Sequence, residues 1–157
     1  MKRAGREQSG FSLIEALLVV ALFVIIFAAT SPRLISSYHR YRLEASTQDL
    51  VHTIRYAQNK SMTGRDNDVY SIRLVNGAGG SFVLYKGDDY DARDASFDEV
   101  HELPAAFSLT DTIADADIIF TRLEGGTTDT GTLTIAWPDG NQSRSLSLNP
   151  TGRVDFN

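Results

Sequence analysis

An apolar stretch near the N-terminus limits what this chain can fold into more than any other feature. From Phe11 to Ala29, 19 positions, every residue is apolar except Ser12 and Glu15. At 1.5 Å of rise per residue, a helix over these positions is about 28 Å long. That length nearly matches the ~30 Å hydrocarbon core of a bilayer. The sequence therefore predicts a transmembrane helix over residues 11–31.

The charges on either side of this stretch predict its orientation. Only Arg33 follows it closely, whereas three basic residues precede it: Lys2, Arg3 and Arg6. Because basic flanks stay on the cytoplasmic side, we expect residues 1–10 in the cytoplasm and the chain after Pro32 outside, with one pass through the inner membrane. A secretory signal peptide is disfavoured because its apolar run spans only ~7–15 residues. An uncleaved signal anchor fits, but it leaves Gly10 and Glu15 unexplained.

Glu15 is the unusual residue of the stretch. A carboxylate near the end of a membrane span costs about 1–3 kcal/mol, so it is expected to have a partner. If a peptidase cuts after Gly10, Phe11 gains a free ammonium group one helical turn before Glu15. The pair could form within one chain or between neighbouring subunits. The alternative is a carboxylate that reaches the membrane interface and has no role.

The residues Gly10-Phe11-Ser12-Leu13-Ile14-Glu15, preceded by a basic leader and followed by an apolar helix, resemble the prepilin cleavage and methylation motif of type IV pilins and type II secretion pseudopilins. The resemblance implies that prepilin peptidase cuts between Gly10 and Phe11, and that Phe11 becomes N-methylated. It also implies that Glu15 contacts the N-terminus of an adjacent subunit during assembly. Pro32 lies where many pilins kink their helix, and a proline favours a bend by itself because it removes a helical hydrogen bond.

A second helical pattern follows over residues 32–63. Its apolar and small residues recur at spacings of four and three, which indicates one face of an amphipathic helix: Leu43, Thr47, Leu50, Ile54, Ala57 and Ser61. Gly64 is a plausible end for this helix. We expect a sheet to cover the stripe, and a coiled-coil partner is the alternative. The aromatic and basic residues Tyr38, His39, Tyr41 and Arg42 are expected to anchor at the membrane interface.

From residue 64 to residue 157 the pattern is that of a β-rich extracytoplasmic domain. Alternation with period two predicts antiparallel strands around Tyr70–Leu74, Leu133–Trp137 and Leu146–Leu148, with further candidates at Ser81–Lys86, Phe107–Leu109, Asp117–Leu123 and Val154–Phe156. Turn residues separate the runs, and Pro138-Asp139-Gly140-Asn141 is the best hairpin turn. The predicted fold is α+β and pilin-like, a long N-terminal helix packed on an antiparallel sheet or sandwich.

This order of elements, together with Ile54-Arg55-Tyr56-Ala57-Gln58 and the terminal Thr151-Gly152-Arg153-Val154, resembles the GspH/FimT branch of minor pseudopilins. That resemblance implies a low-abundance subunit that primes filament assembly in a type II secretion pseudopilus or a type IV pilus.

No pattern in the sequence indicates an enzyme, a metal site or a cofactor. There is no cysteine, which excludes disulfides and thiol chemistry, and there is no Gly-x-Ser-x-Gly elbow. The three histidines are scattered. The acidic run Asp88–Glu102 has the oxygen ligands that calcium needs, but Ala95 stands where an EF-hand loop requires glycine. We therefore interpret it as a solvated, mobile loop.

Nucleic acid is not a favoured partner. The net charge is −5, and the last thirty residues contain only two basic side chains, Arg144 and Arg153. DNA uptake in natural transformation, known for some FimT-like pilins, is kept as an alternative. The primary prediction is a structural subunit of a pilus or pseudopilus. Its expected partners are prepilin peptidase, other pilin or pseudopilin subunits, inner-membrane lipid and the assembly platform. The other alternative is an uncleaved, membrane-anchored binding domain.

Overall fold

One long helix, nine short strands and two short 3-10 helices, Ala95–Phe97 and Ala114–Ala116, make up the regular structure of the described residues. The structure, a computed structural model, describes residues 12–64, 67–137 and 142–156, and for residues 29–36 it describes the helix but not the side chains. The chain divides into two compact units, residues 1–39 and residues 40–157. Helix α1 extends over Leu13–Met62 and contributes to both.

The strands form two sheets in the second unit. A four-stranded sheet has the order β4-β3-β1-β6 and a five-stranded sheet the order β2-β5-β7-β8-β9, with every pair antiparallel. The strands are β1 (Tyr70–Val75), β2 (Gly77–Ala78), β3 (Ser81–Lys86), β4 (Glu99–Glu102), β5 (Ser108–Asp111), β6 (Asp117–Ile119), β7 (Gly131–Ala136), β8 (Ser143–Leu148) and β9 (Val154–Phe156).

The predicted stripe of α1 lies in the core of this unit. All six of its residues, from Leu43 to Ser61, are at most 3% exposed. The apolar members form one cluster with side chains of both sheets, among them Ile72, Phe82 and Ile135. Strands of the same chain therefore cover the stripe, which confirms the prediction of a helix packed on sheets and contradicts the coiled-coil alternative.

Gly64 ends α1 as the sequence predicted. It adopts φ +61°, in the left-handed region that glycine enters without a steric penalty, and its N–H donates to the Ser61 carbonyl at 3.3 Å.

The predicted strands are confirmed, but some bounds differ and two strands are additional. β3 and β9 have the predicted bounds, whereas β5 covers Ser108–Asp111 instead of Phe107–Leu109. β6 ends at Ile119 and not at Leu123, which takes a left-handed φ of 67° and belongs to a turn. The two-residue strand β2 and the charged strand β4 were not predicted. The hairpin turn Pro138–Asn141 lies outside the described residues, although the flanking strands pair with Ala136 opposite Ser143.

The acidic run Asp88–Glu102 is mostly exposed, as predicted, but it is not a loop throughout, because it contains a short 3-10 helix and a strand. Arg93 donates to both carboxylate oxygens of Asp98 and to the Tyr90 carbonyl, and its guanidinium stacks 3.6 Å from the Tyr90 ring. Tyr90 in turn meets the fully buried Tyr85 edge-on at 5.2 Å. The part of the run around Tyr90 and Arg93 therefore packs against Tyr85 of β3, and its last residues form β4.

No helix within the described residues is both long enough and apolar enough to cross a bilayer. The span predicted over residues 11–31 stays a prediction. The kink predicted at Pro32 also stays a prediction, because Pro32 is among the residues whose side chains the structure does not describe.

Candidate assembly site at the start of the long helix

The first turn of α1 contains the one predicted assembly residue that the structure describes. Glu15 is the third residue of the helix. Gly10 and Phe11, the predicted cleavage and methylation positions, lie outside the described residues. The geometry of the site is therefore built around Glu15.

The first turn of a helix favours a carboxylate such as that of Glu15. The Ala16 N–H donates to the Ser12 carbonyl at 3.1 Å, so Ser12 is the N-cap and Glu15 the third residue after it. A carboxylate there is favoured by the partial positive charge of a helix N-terminus, and Ser-x-x-Glu is the order of a capping box. The sequence analysis missed this contribution, although the spacing of Ser12 and Glu15 was the signal for it.

Exposed apolar side chains surround Glu15 along the helix. The large ones between Leu13 and Phe27 are all 40–82% exposed. Among the described residues, no basic side chain lies within ion-pair distance of the Glu15 carboxylate. A helix that is apolar on all sides is normally covered by lipid or by other protein. This turn thus offers an acid and an apolar surface that the described chain does not use.

The comparisons with known proteins agree with this reading of the N-terminus. The family described as the prokaryotic N-terminal methylation motif matches residues 5–31, which include Gly10, Phe11 and Glu15. Among curated protein sequences, none matches the chain significantly.

Two solved structures are similar in fold. The type IV minor pilin FimU of Pseudomonas aeruginosa is 20% identical, with a TM-score of 0.58 over 76% of this chain and 90% of FimU. The minor pseudopilin EpsH from the type 2 secretion system of Vibrio cholerae is 9% identical, with a TM-score of 0.54 over 74% of this chain and 96% of EpsH. The chain combines a prepilin-type N-terminus with a pilin-like fold.

The helix of this pilin-like chain is fixed to its sheets by polar residues that the sequence analysis did not single out as functional. The Gln58 amide donates to the carbonyls of Gly125 at 2.8 Å and Thr151 at 2.9 Å. The buried Ser61 hydroxyl accepts the Tyr70 N–H at 2.8 Å. The two Gln58 bonds join positions 67 and 93 residues apart, so no local pattern could have revealed them.

The polar side chains around Arg73 and Tyr85 in the four-stranded sheet stabilise the fold and form no functional site. The Arg73 guanidinium donates to Asp117 at 2.6 Å. Burial raises the pKa of the Asp117 carboxyl, and the hydrogen bond from Arg73 opposes that rise. Burial also raises the pKa of the Tyr85 phenol to about 12, so it stays neutral. No group of three or more potential metal ligands occurs among the described residues.

The basic residues near the C-terminus are engaged by acids. Arg144 pairs with Glu44 at 3.1 Å, and Arg153 pairs with Asp155 at 2.8 Å. His101 likewise contacts Asp49 at 3.0 Å and stacks on Phe82. Among the described residues these contacts form no continuous basic surface of the kind that nucleic acid requires.

Proposed function

We propose that this chain is a minor pilin or pseudopilin, a structural subunit and not an enzyme, that enters a type IV pilus or a type II secretion pseudopilus through its N-terminal helix. The observation that carries the proposal is Glu15. It stands in the first turn of α1, inside the matched motif and among exposed apolar side chains, without a cationic partner in the described chain.

Processing would supply the missing partner. Prepilin peptidase cuts after Gly10 on the cytoplasmic side, which frees the amine of Phe11, and that amine is then methylated. A methylated amine stays cationic, so it can pair with a carboxylate. In apolar surroundings such a pair is much stronger than in water, and pairing across two subunits would fix the axial position of one helix against the next.

The apolar half of α1 supports the same route. Before assembly, lipid of the inner membrane covers it, with the N-terminus in the cytoplasm and the β-rich domain outside. During assembly, helices of other subunits replace the lipid as the assembly platform moves the subunit into the filament. Both surroundings are apolar, so the transfer leaves the desolvation of these side chains nearly unchanged.

Intact-mass measurement of the protein extracted from membranes tests the processing step. Cells with active prepilin peptidase should yield a chain that lacks residues 1–10 and carries one added methyl group. Cells without the peptidase should yield the full chain. A full-length chain in the peptidase-positive cells would favour the uncleaved membrane-anchored domain and reject the proposal.

Glu15→Ala tests the docking step. We expect the variant to be cleaved and folded but lost from sheared filaments, because the amine of the neighbouring subunit then has no acceptor. Glu124→Ala is the matched control, since Glu124 is an exposed acid in a turn of the β-rich domain, and it should incorporate normally. Normal incorporation of Glu15→Ala would contradict the assembly role.

A further inference from the structure

A polar cleft between α1 and the start of β8 has no role in the proposed assembly. Its volume is about 290 Å³, and its lining residues are Arg40, Leu43, Gln142, Ser143 and Arg144. One water occupies ~30 Å³ in the liquid, so the cleft has room for a phosphate group with part of its hydration.

The two arginines come from opposite ends of the domain sequence. Arg40, Leu43 and Glu44 lie three and four positions apart on α1, so they share one side of the helix. Arg144 is the second residue of β8, and its Nε donates to Glu44 at 3.1 Å. That pair holds the Arg144 guanidinium against the helix, in the same cleft as Arg40.

The cleft has an excess of positive charge. Two guanidinium groups face one carboxylate, since Glu44 is the acid that contacts Arg144. Arg40 is exposed, and among the described residues it has neither an ion pair nor a hydrogen bond. Gln142 and Ser143 add an amide and a hydroxyl. Arginine forks with neighbouring neutral donors are the groups that bind phosphate oxygens in proteins.

The surroundings of Arg40 favour a lipid as the source of the phosphate. Arg40 follows the end of the apolar stretch at Ala29 by eleven residues. Its neighbour Tyr41 is 75% exposed, and exposed tyrosine beside basic residues is typical of the headgroup region of a membrane.

We propose that the cleft between Arg40 and Arg144 binds the phosphate of an anionic phospholipid headgroup. Arg40 forms the main contact, because it has no competing acid, and Arg144 shares its charge between the phosphate and Glu44. The site would hold the domain at the membrane surface before the subunit enters a filament. It depends on the proposed membrane anchoring but not on cleavage or on Glu15.

The test is a titration of the full chain in non-ionic detergent micelles, followed by NMR of the arginine Nε–H signals. The ligands are short-chain phosphatidylglycerol, short-chain phosphatidylcholine, inorganic phosphate and duplex DNA. Saturable shifts of the Arg40 and Arg144 signals are expected with phosphatidylglycerol, with much weaker effects of the other three. Equal affinity for phosphatidylcholine, equal affinity for inorganic phosphate, or tighter binding of DNA would each overturn the lipid assignment.

Variants distinguish binding in the cleft from a general attraction of the lipid to positive charge. Arg40→Gln should weaken phosphatidylglycerol binding about tenfold, whereas Arg55→Gln, an exposed arginine of the same helix, should leave it unchanged. Glu44→Gln should strengthen binding about threefold by releasing Arg144. Unchanged affinity in both cleft variants would contradict the proposal. Because the micelle assay measures only the cleft, its failure is distinguishable from a failure of assembly.

Discussion

The two halves of α1 differ in how their apolar side chains are covered. Between Leu13 and Phe27 the large apolar side chains are 40–82% exposed, whereas the stripe from Leu43 to Ser61 is at most 3% exposed. The acids differ in the same way. Glu44 bonds to Gln48 and Arg144, and Glu15 has no such partner among the described residues. The second half is stabilised by its own chain, whereas the described chain leaves the large apolar side chains of the first half exposed.

The largest effect is expected when one leucine of each half is replaced by alanine. Leu50→Ala removes a side chain that is fully buried, and the lost burial plus the cavity should lower the free energy of unfolding by about 2–5 kcal/mol. Leu18→Ala removes a side chain that is 66% exposed and should change it by less than about 0.5 kcal/mol.

Denaturant unfolding of the full chain in non-ionic detergent measures both variants. The single tryptophan, Trp137, reports on the domain because its ring meets Phe107 edge-on at 5.2 Å. Equal losses in the two variants would show that the first half also contributes to the stability of the isolated subunit, and the contrast between the halves would fail.

A second, smaller test concerns the point where the buried half ends. Ser61→Ala removes the acceptor of the Tyr70 N–H, and a buried N–H without a partner costs about 1–3 kcal/mol. Thr53→Val is the control. Its hydroxyl is also buried but donates only to the Asp49 carbonyl one turn back. In Thr53→Val that carbonyl still accepts its helical N–H. The unfolding midpoint should fall further for Ser61→Ala, and the reverse order would contradict the role of Ser61.

Sequence patterns predicted the helices and strands whose apolar residues recur at regular spacings within the element itself. The spacing of Leu43, Leu50 and Ile54 indicated the buried stripe, and alternation around Leu133 and Leu146 indicated β7 and β8. Sequence patterns failed for elements that lack regular apolar spacing or that depend on an unusual backbone conformation. Strand β4 is short and charged, so it has no apolar alternation. The turn after β6 contains Leu123 in a left-handed conformation, which residue type does not reveal.

The candidate sites differ in the same way in how far the sequence indicated them. Glu15 could be proposed as a site from the sequence because the motif is contiguous and an acid in an apolar stretch is conspicuous. The anchoring of the acidic run through Arg93 and Tyr90 could not, because it depends on packing against Tyr85 in another strand. The cleft of Arg40 and Arg144 joins residues about a hundred positions apart, and only the folded domain brings them together.

The smallest expected effect concerns Glu44, the acid of α1 that pairs with Arg144. Hydrogen bonds from Gln48 and then Arg144 lower the pKa of the Glu44 carboxyl from its ordinary value of 4.5. A carboxyl with a lowered pKa stabilises the folded state above its ordinary pKa, and that contribution is lost as the pH falls through the lowered value. Glu44 is largely exposed, so solvent screening keeps the effect small.

Thermal unfolding midpoints of the wild type and of Glu44→Gln should therefore differ slightly at neutral pH and converge as the pH falls below 4.5. A difference for Glu44→Gln that persists in acid would mean that the side chain acts through packing.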